Sequence, residues 1–306
     1  MDTDFVWKLI VGGNGNVGKT TLLYRFIKGD FIENLMSTVG VQFHSHVFDR
    51  EGKLINLVLW DLGGQDQYRT EYLTTKQETL LEADLMVFVV DMQDWNNYKE
   101  SLDYYKKVLE IIKGADEHPY IVICLHKLDP EVYNDYKKNI ADIMKLFEEA
   151  SQEWEYKFFI TSIYNRRSIV EAFSFGITQF LPKKKSLDLI LRNFIAEAKE
   201  LGEKVMGTML WDQNALFLSM IFEDKKTEKA SLNASMGILE TIESFEKSGT
   251  FSSLFLEINK DYQFLVRKVG KVYTTIVGNQ LDLEKVWDLY DNNYLTDLEE
   301  LIERSE

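Results

Sequence analysis

The sequence predicts an α/β domain built on a mostly parallel, doubly wound sheet, followed by a smaller α+β domain. Three observations carry that prediction. Two continuous apolar runs, Leu85–Val90 and Tyr120–Leu125, are separated by a long helical stretch, as central strands covered on both faces require. A glycine-rich loop at 12–18 joins an apolar run to a helical one. After Leu181-Pro182-Lys183-Lys184-Lys185 the pattern turns to short strands joined by tight turns, which builds an antiparallel meander. The expected domains are therefore 1–185 and 186–306, and 306 residues suit two domains better than one.

Taken in order, residues 5–11 form an apolar strand that ends in the glycine-rich loop, and helical pattern runs from Lys19 to about Lys28. Residues 41–48 and 54–60 form two strands around the turn at 49–52. The runs at 85–90 and 120–125 follow, then a strand near 157–161 and an amphipathic helix from about Ser168 to Leu181. In the second domain a helix spans roughly 187–201, with Leu187, Leu189, Ile190, Phe194 and Ile195 on its apolar side. Strands are expected near 204–211 and 215–222, then a helix over 228–246 with a stripe of Leu232, Met236, Leu239, Ile242 and Phe245. Three strands near 252–258, 262–268 and 271–277 lead to one terminal helix from Leu283.

Composition narrows the setting. Hydrophobic residues make up 45% of the chain, enough for packed cores, and the formal net charge is −15. That charge argues against nucleic acid or anionic lipid as the main partner, since both need a basic footprint. The single cysteine, Cys124, lies in an apolar run, so no intramolecular disulfide forms and a reducing cytoplasm is expected. The acidic start Met1-Asp2-Thr3-Asp4, an Asp rather than Gly at position 2 and an end without a cysteine box give no leader or lipidation signal. Membrane contact is then expected only through a partner.

The chemistry begins at Gly13-Asn14-Gly15-Asn16-Val17-Gly18-Lys19-Thr20, a phosphate-binding loop between a strand and a helix. Its glycines let backbone N–H groups and the helix N-terminus point at anionic oxygens. Lys19 is expected at the β- and γ-phosphates, the Thr20 hydroxyl on Mg²⁺, and Thr21 at the α-phosphate. Asp61-Leu62-Gly63-Gly64-Gln65 follows an apolar strand. There Asp61 suits a Mg²⁺-bound water, the Gly64 N–H the γ-phosphate, and Gln65 the attacking water. Thr38, just ahead of a strand, is placed to close over the γ-phosphate and complete the Mg²⁺ shell. His126-Lys127-Leu128-Asp129 supplies a base reader. The Asp129 carboxylate accepts from guanine N1–H and N2–H₂, whereas adenine would leave it unpaired at a cost of about 1–3 kcal/mol. Thr161-Ser162-Ile163 ends the last strand, with the N–H near Ile163 expected at guanine O6. His44 and His46 alternate on one strand, but two ligands do not make a metal site.

Together these motifs resemble the Ras superfamily, and details narrow the likeness to the Rag/Gtr family of small GTPases. Those details are Trp60-Asp61 leading into Gly63-Gly64-Gln65-Asp66, His44-Ser45-His46-Val47 ahead of it, and His126 where most superfamily members carry Asn. Gly-Gly-Gln resembles the A/B-type subunit of that family. The resemblance implies a Ras-like domain followed by a roadblock-like dimerisation domain. It further implies a switch cycling between GTP and GDP, pairing with itself or a related GTPase on roadblock-type scaffold proteins and served by activating and exchange factors. No arginine lies in 29–37 to act in cis, and Arg69, though close to Gln65, is expected on the side of its segment that contacts partners, so slow intrinsic hydrolysis on the order of 10⁻⁴–10⁻³ s⁻¹ is expected. Two other readings stay open: a dimerising scaffold with a structural nucleotide, and an Arf-like trafficking GTPase, which would need an amphipathic helix before the first strand.

Overall fold

In a computed structural model of the chain, residues 6–27, 38–50, 53–180, 184–212, 216–246, 251–258, 260–270 and 272–303 are described. Of the expected features, the stretch 29–37, the turn tip at 51–52, Leu181–Lys183, Asn259 and Lys271 lie outside them. Backbone packing divides the chain into two compact units, Met1–Asp49 with Leu54–Phe180, and Arg50–Lys53 with Leu181–Glu306.

The first unit is an α/β domain. Its strands are β1 (Val6–Gly12), β2 (Val41–Arg50), β3 (Lys53–Leu62), β4 (Leu85–Asp91), β5 (Tyr120–His126) and β6 (Tyr156–Ile160). They form one sheet in the order β2-β3-β1-β4-β5-β6. The β1·β3, β1·β4, β4·β5 and β5·β6 pairs are all parallel. Residues 85–90 and 121–126 are buried throughout, which is why these strands show unbroken rather than alternating apolarity.

Among the described residues five α-helices accompany the sheet: α1 (Lys19–Ile27), α2 (Asp66–Thr74), α3 (Tyr98–Gly114), α4 (Tyr133–Ser151) and α5 (Arg166–Thr178). On α3 the buried residues Tyr98, Leu102, Tyr105, Leu109 and Ile112 recur every three or four positions, one face of a helix. Against them Phe88 packs its ring 4.8 Å from Tyr105 and 6.0 Å from both Tyr104 and Phe147. Register then fixes where the chemistry stands. Val11 pairs with Asp61, and Asp91 with His126, so the ends of β1, β3, β4 and β5 open on one edge of the sheet.

The second unit is an α+β domain. It runs α6 (Lys184–Glu200), β7 (Val205–Asp212), β8 (Phe217–Phe222), α7 (Lys225–Glu246), β9 (Ser253–Ile258), β10 (Tyr262–Val269), β11 (Val272–Gly278), α8 (Leu283–Asn293) and α9 (Leu295–Glu303). Its sheet is antiparallel, in the order β8-β7-β11-β10-β9. The single terminal helix expected from Leu283 is instead two. Tyr294 leaves helical geometry at φ −129°. Its ring packs edge-on to Phe194 at 5.4 Å, and its hydroxyl donates to Glu197. Asn293 Nδ2 donates to the same carboxylate at 2.8 Å, so two neighbouring side chains anchor the corner to α6.

Candidate functional site

The loop after β1 curls around Lys19 before α1 begins. The Lys19 ammonium is buried and donates to the carbonyls of Gly13 at 3.0 Å and Asn14 at 2.7 Å. Burial lowers its pKa to about 8, so negative charge delivered to the loop would favour the protonated form. Gly18 has a left-handed φ of 93°, and a Cβ there would come within 3.0 Å of the His126 ring. Asn14 and Val17 are buried, Gly15 and Thr21 half-buried, and Asn16 exposed with φ at 61°.

Thr20, Thr38 and Asp61, the residues expected to hold Mg²⁺, converge from α1, the segment before β2 and the end of β3. The two hydroxyls lie 2.6 Å apart. Both donate to Asp61 Oδ2, Thr38 at 3.0 Å. Asp61 is fully buried, and burial raises its carboxyl pKa against the opposing hydrogen bond from Thr20. Its second oxygen, Oδ1, is buried without a partner. A buried carboxylate oxygen left bare beside two hydroxyls fits a hard cation that keeps several waters.

Gly64 comes so close to the loop that a Cβ would stand 2.3 Å from both Asn14 O and Lys19 Nζ, so only glycine fits. Gln65 follows, exposed, as the residue capping α2, with its side chain making no cap bond. The segment carrying Thr38 is tied to this one by Gly63 N donating to Gly40 O at 2.8 Å and Tyr72 Oη to the same carbonyl at 2.9 Å.

The second group gathers at β5 and β6. His126 is buried, its Nδ1 3.0 Å from Thr161 Oγ1, and burial lowers its pKa to about 3, leaving a neutral imidazole. Lys127, at φ 61°, donates 2.6 Å bonds to Asn16 O and Asp91 Oδ2, joining the two motifs. The Asp129 carboxylate accepts from Ser162 Oγ at 2.5 Å and from Gln93 Nε2 at 3.2 Å. Gln93 also donates to Lys127 O at 2.8 Å. Ile163 is half-buried beside Ser162.

Sequence reasoning did not single out Asp91, Gln93, Gly40 or Tyr72, and it set Arg69 aside as a residue facing partners. Arg69 is instead buried against Asn14. Asp91 ends an apolar strand as Asp61 does, which is the one local signal for it. The other four meet the site only through the fold. Cys124 is buried in β5, and burial pushes its thiol up to about 12, which makes it an inert core group.

Among the described residues no helix is long and apolar enough to cross a membrane. Residues 8–245 match the Gtr1/RagA G protein conserved region. The chain is also 30% identical over 171 residues to the Ras-related protein Rab-13 of Bos taurus, covering 56% of this chain and 78% of that one. It is 29% identical over 171 residues to the GTP-binding protein YPTM1 of Zea mays, covering 56% and 76%. A Ras-related protein of Oryza sativa subsp. japonica, RIC1, is 35% identical over 127 residues, covering 41% and 59%. The match over most of the chain, on a fold whose strand ends gather the glycine-rich loop and the Asp129 carboxylate, identifies this GTP-binding protein as a member of the Gtr1/RagA G protein family.

Proposed function

We propose that the chain is a molecular switch that hydrolyses GTP to GDP slowly by itself and faster with an activating partner. The observation that carries this reading is the meeting of Thr20, Thr38 and Asp61, with Asp61 Oδ1 bare and the Lys19 ammonium close by. Thr20, Thr38 and, through water, Asp61 would hold Mg²⁺. The ion supplies charge neutralisation at the β- and γ-phosphate oxygens.

The chain's own residues do the rest. Loop amides and Lys19 bind the phosphates, and the Gly64 N–H senses the γ-phosphate. Gln65 orients the attacking water from its exposed place at the head of α2. Asp129 accepts the guanine N–H donors, with Ser162 fixing one of its oxygens. Lys127 braces that pocket against the phosphate loop. Because Thr38 answers to the γ-phosphate, hydrolysis releases its segment, and the Gly40 links transmit the change to α2. In the cell, the switch pairs through its roadblock-like second domain with a copy of itself or a related GTPase. It acts in the cytoplasm and reaches membranes only on scaffold proteins.

Single-turnover phosphate release from GTP tests this directly. Wild type is expected near 10⁻⁴–10⁻³ s⁻¹, on the order of unassisted relatives, with release lost on chelation of Mg²⁺ and slowed at least tenfold in Gln65→Leu. Equal release from all three samples would sink the reading, as would ATP competing as well as GTP.

A further inference from the structure

Helix α2 buries little. Arg69 and Tyr72 are its buried residues, and its sequence has no apolar stripe. Polar ties must therefore set where its first turn stands, and that turn begins at Gln65. Arg69 makes most of them. Its backbone N–H donates to Gln65 O at 3.0 Å, closing the first helical bond. Its Nη1 donates to Asn14 Oδ1 at 2.8 Å, inside the phosphate loop. Its Nη2 bonds Asp66 on α2 and Glu100 on α3. The guanidinium carbon lies 5.4 Å from the centre of the Tyr104 ring.

One residue thus holds Gln65 with its backbone and the loop with its side chain. That side chain is 10% exposed, and its Nε is buried without a partner. Asn14 is the meeting point. Its carbonyl takes the Lys19 ammonium at 2.7 Å, and it lies against Gly64 too closely for any Cβ. Burial opposes the charged guanidinium, but its bonds to Glu100 and Asp66 outweigh that and raise its pKa, so the group stays charged where it stands.

We propose that Arg69 is a positioning residue for hydrolysis, holding Gln65 at a fixed place against the phosphate loop by gripping Asn14 and Glu100. The inference rests on the hydrolytic reading of Gln65 above. It requires arginine itself, because a planar fork reaches three acceptors at once where an ammonium on a flexible stem does not.

The test uses the full chain loaded with GTP and Mg²⁺, comparing Arg69→Lys and Arg69→Ala, each alone and combined with Gln65→Leu. Release of phosphate is expected to slow about tenfold in Arg69→Lys, the size of loss that small misplacement of a catalytic group produces. The Kd for GTP is expected to stay within about twofold, and in the Gln65→Leu background neither Arg69 change should slow release further. Should Arg69→Ala fail to fold, Arg69→Lys carries the test alone. A wild-type rate in Arg69→Lys overturns the proposal. So does an equal slowing with and without Gln65, or a loss of GTP affinity that parallels the loss of rate. A wild-type rate in Gln65→Leu alone overturns the hydrolytic reading itself. A slow Gln65→Leu beside fast Arg69 variants overturns only the positioning role.

Discussion

His126 shows how one buried side chain couples the end of β5 to pH. Its ring lies under Gly18 and against Thr161, and burial lowers its pKa from 6.5 to about 3. The unfolded chain therefore takes up a proton below 6.5 that the folded chain refuses until about 3. Across that window the unfolded state binds more protons, so stability is present above 6.5 and is lost as pH falls. One such group contributes a slope of up to about 1.4 kcal/mol per pH unit. Replacing it by Asn removes the titration and keeps a polar group beside Thr161. The difference in unfolding free energy between His126→Asn and wild type is thus expected to shift in favour of the variant as pH drops from 7 to 5. Urea titrations at a series of pH values would measure it. Parallel stability curves for the two proteins would show that the ring titrates normally.

At the scale of elements, legibility followed how local the cause was. β4 and β5 could be recognised because burial on both faces leaves an apolar run that nothing else explains. The loop at 13–20, Asp61, Gln65 and Asp129 could be singled out as candidates because each lies at or within a few residues of the end of an apolar strand. Helix α2 could not, because its residues are polar and its place is set by partners far along the chain, Asn14 and Glu100 for Arg69 and Gly40 for Tyr72. The corner at Tyr294 escaped for the same reason, since Glu197 lies on another helix. Gln93 is exposed in a loop, and only the fold carries it to Asp129. The layer that supports all these strand ends is testable. Phe88 is fully buried among Tyr104, Tyr105 and Phe147, so Phe88→Ala leaves a cavity under α3. A loss of about 3–5 kcal/mol is expected. Denaturant unfolding followed in the first unit would read it, and a loss below about 1 kcal/mol would mean that the surrounding rings collapse into the space.

At the scale of the whole molecule, the question is what a net charge of −15 leaves available for self-association. Like charge opposes pairing of two copies unless an apolar or hydrogen-bonding surface outweighs it. The second unit offers one such surface. In its sheet the two edges differ: β8 begins with buried Phe217, Leu218 and Ser219, whereas β9 carries Phe255 at 46% and Ile258 at 37% exposure. An edge strand with exposed apolar side chains is a template for another strand, and a lysine placed on it blunts that tendency. If the proposed pairing through this domain uses β9, Phe255→Lys should convert a dimer of the full chain to monomer while leaving GTP affinity unchanged. Light scattering during size-exclusion chromatography reads the mass, and a nucleotide titration checks the first unit. A variant that remains dimeric moves the interface off β9. A wild-type chain that stays monomeric rules out self-pairing, and the same substitution can then be tested for loss of binding to a related GTPase.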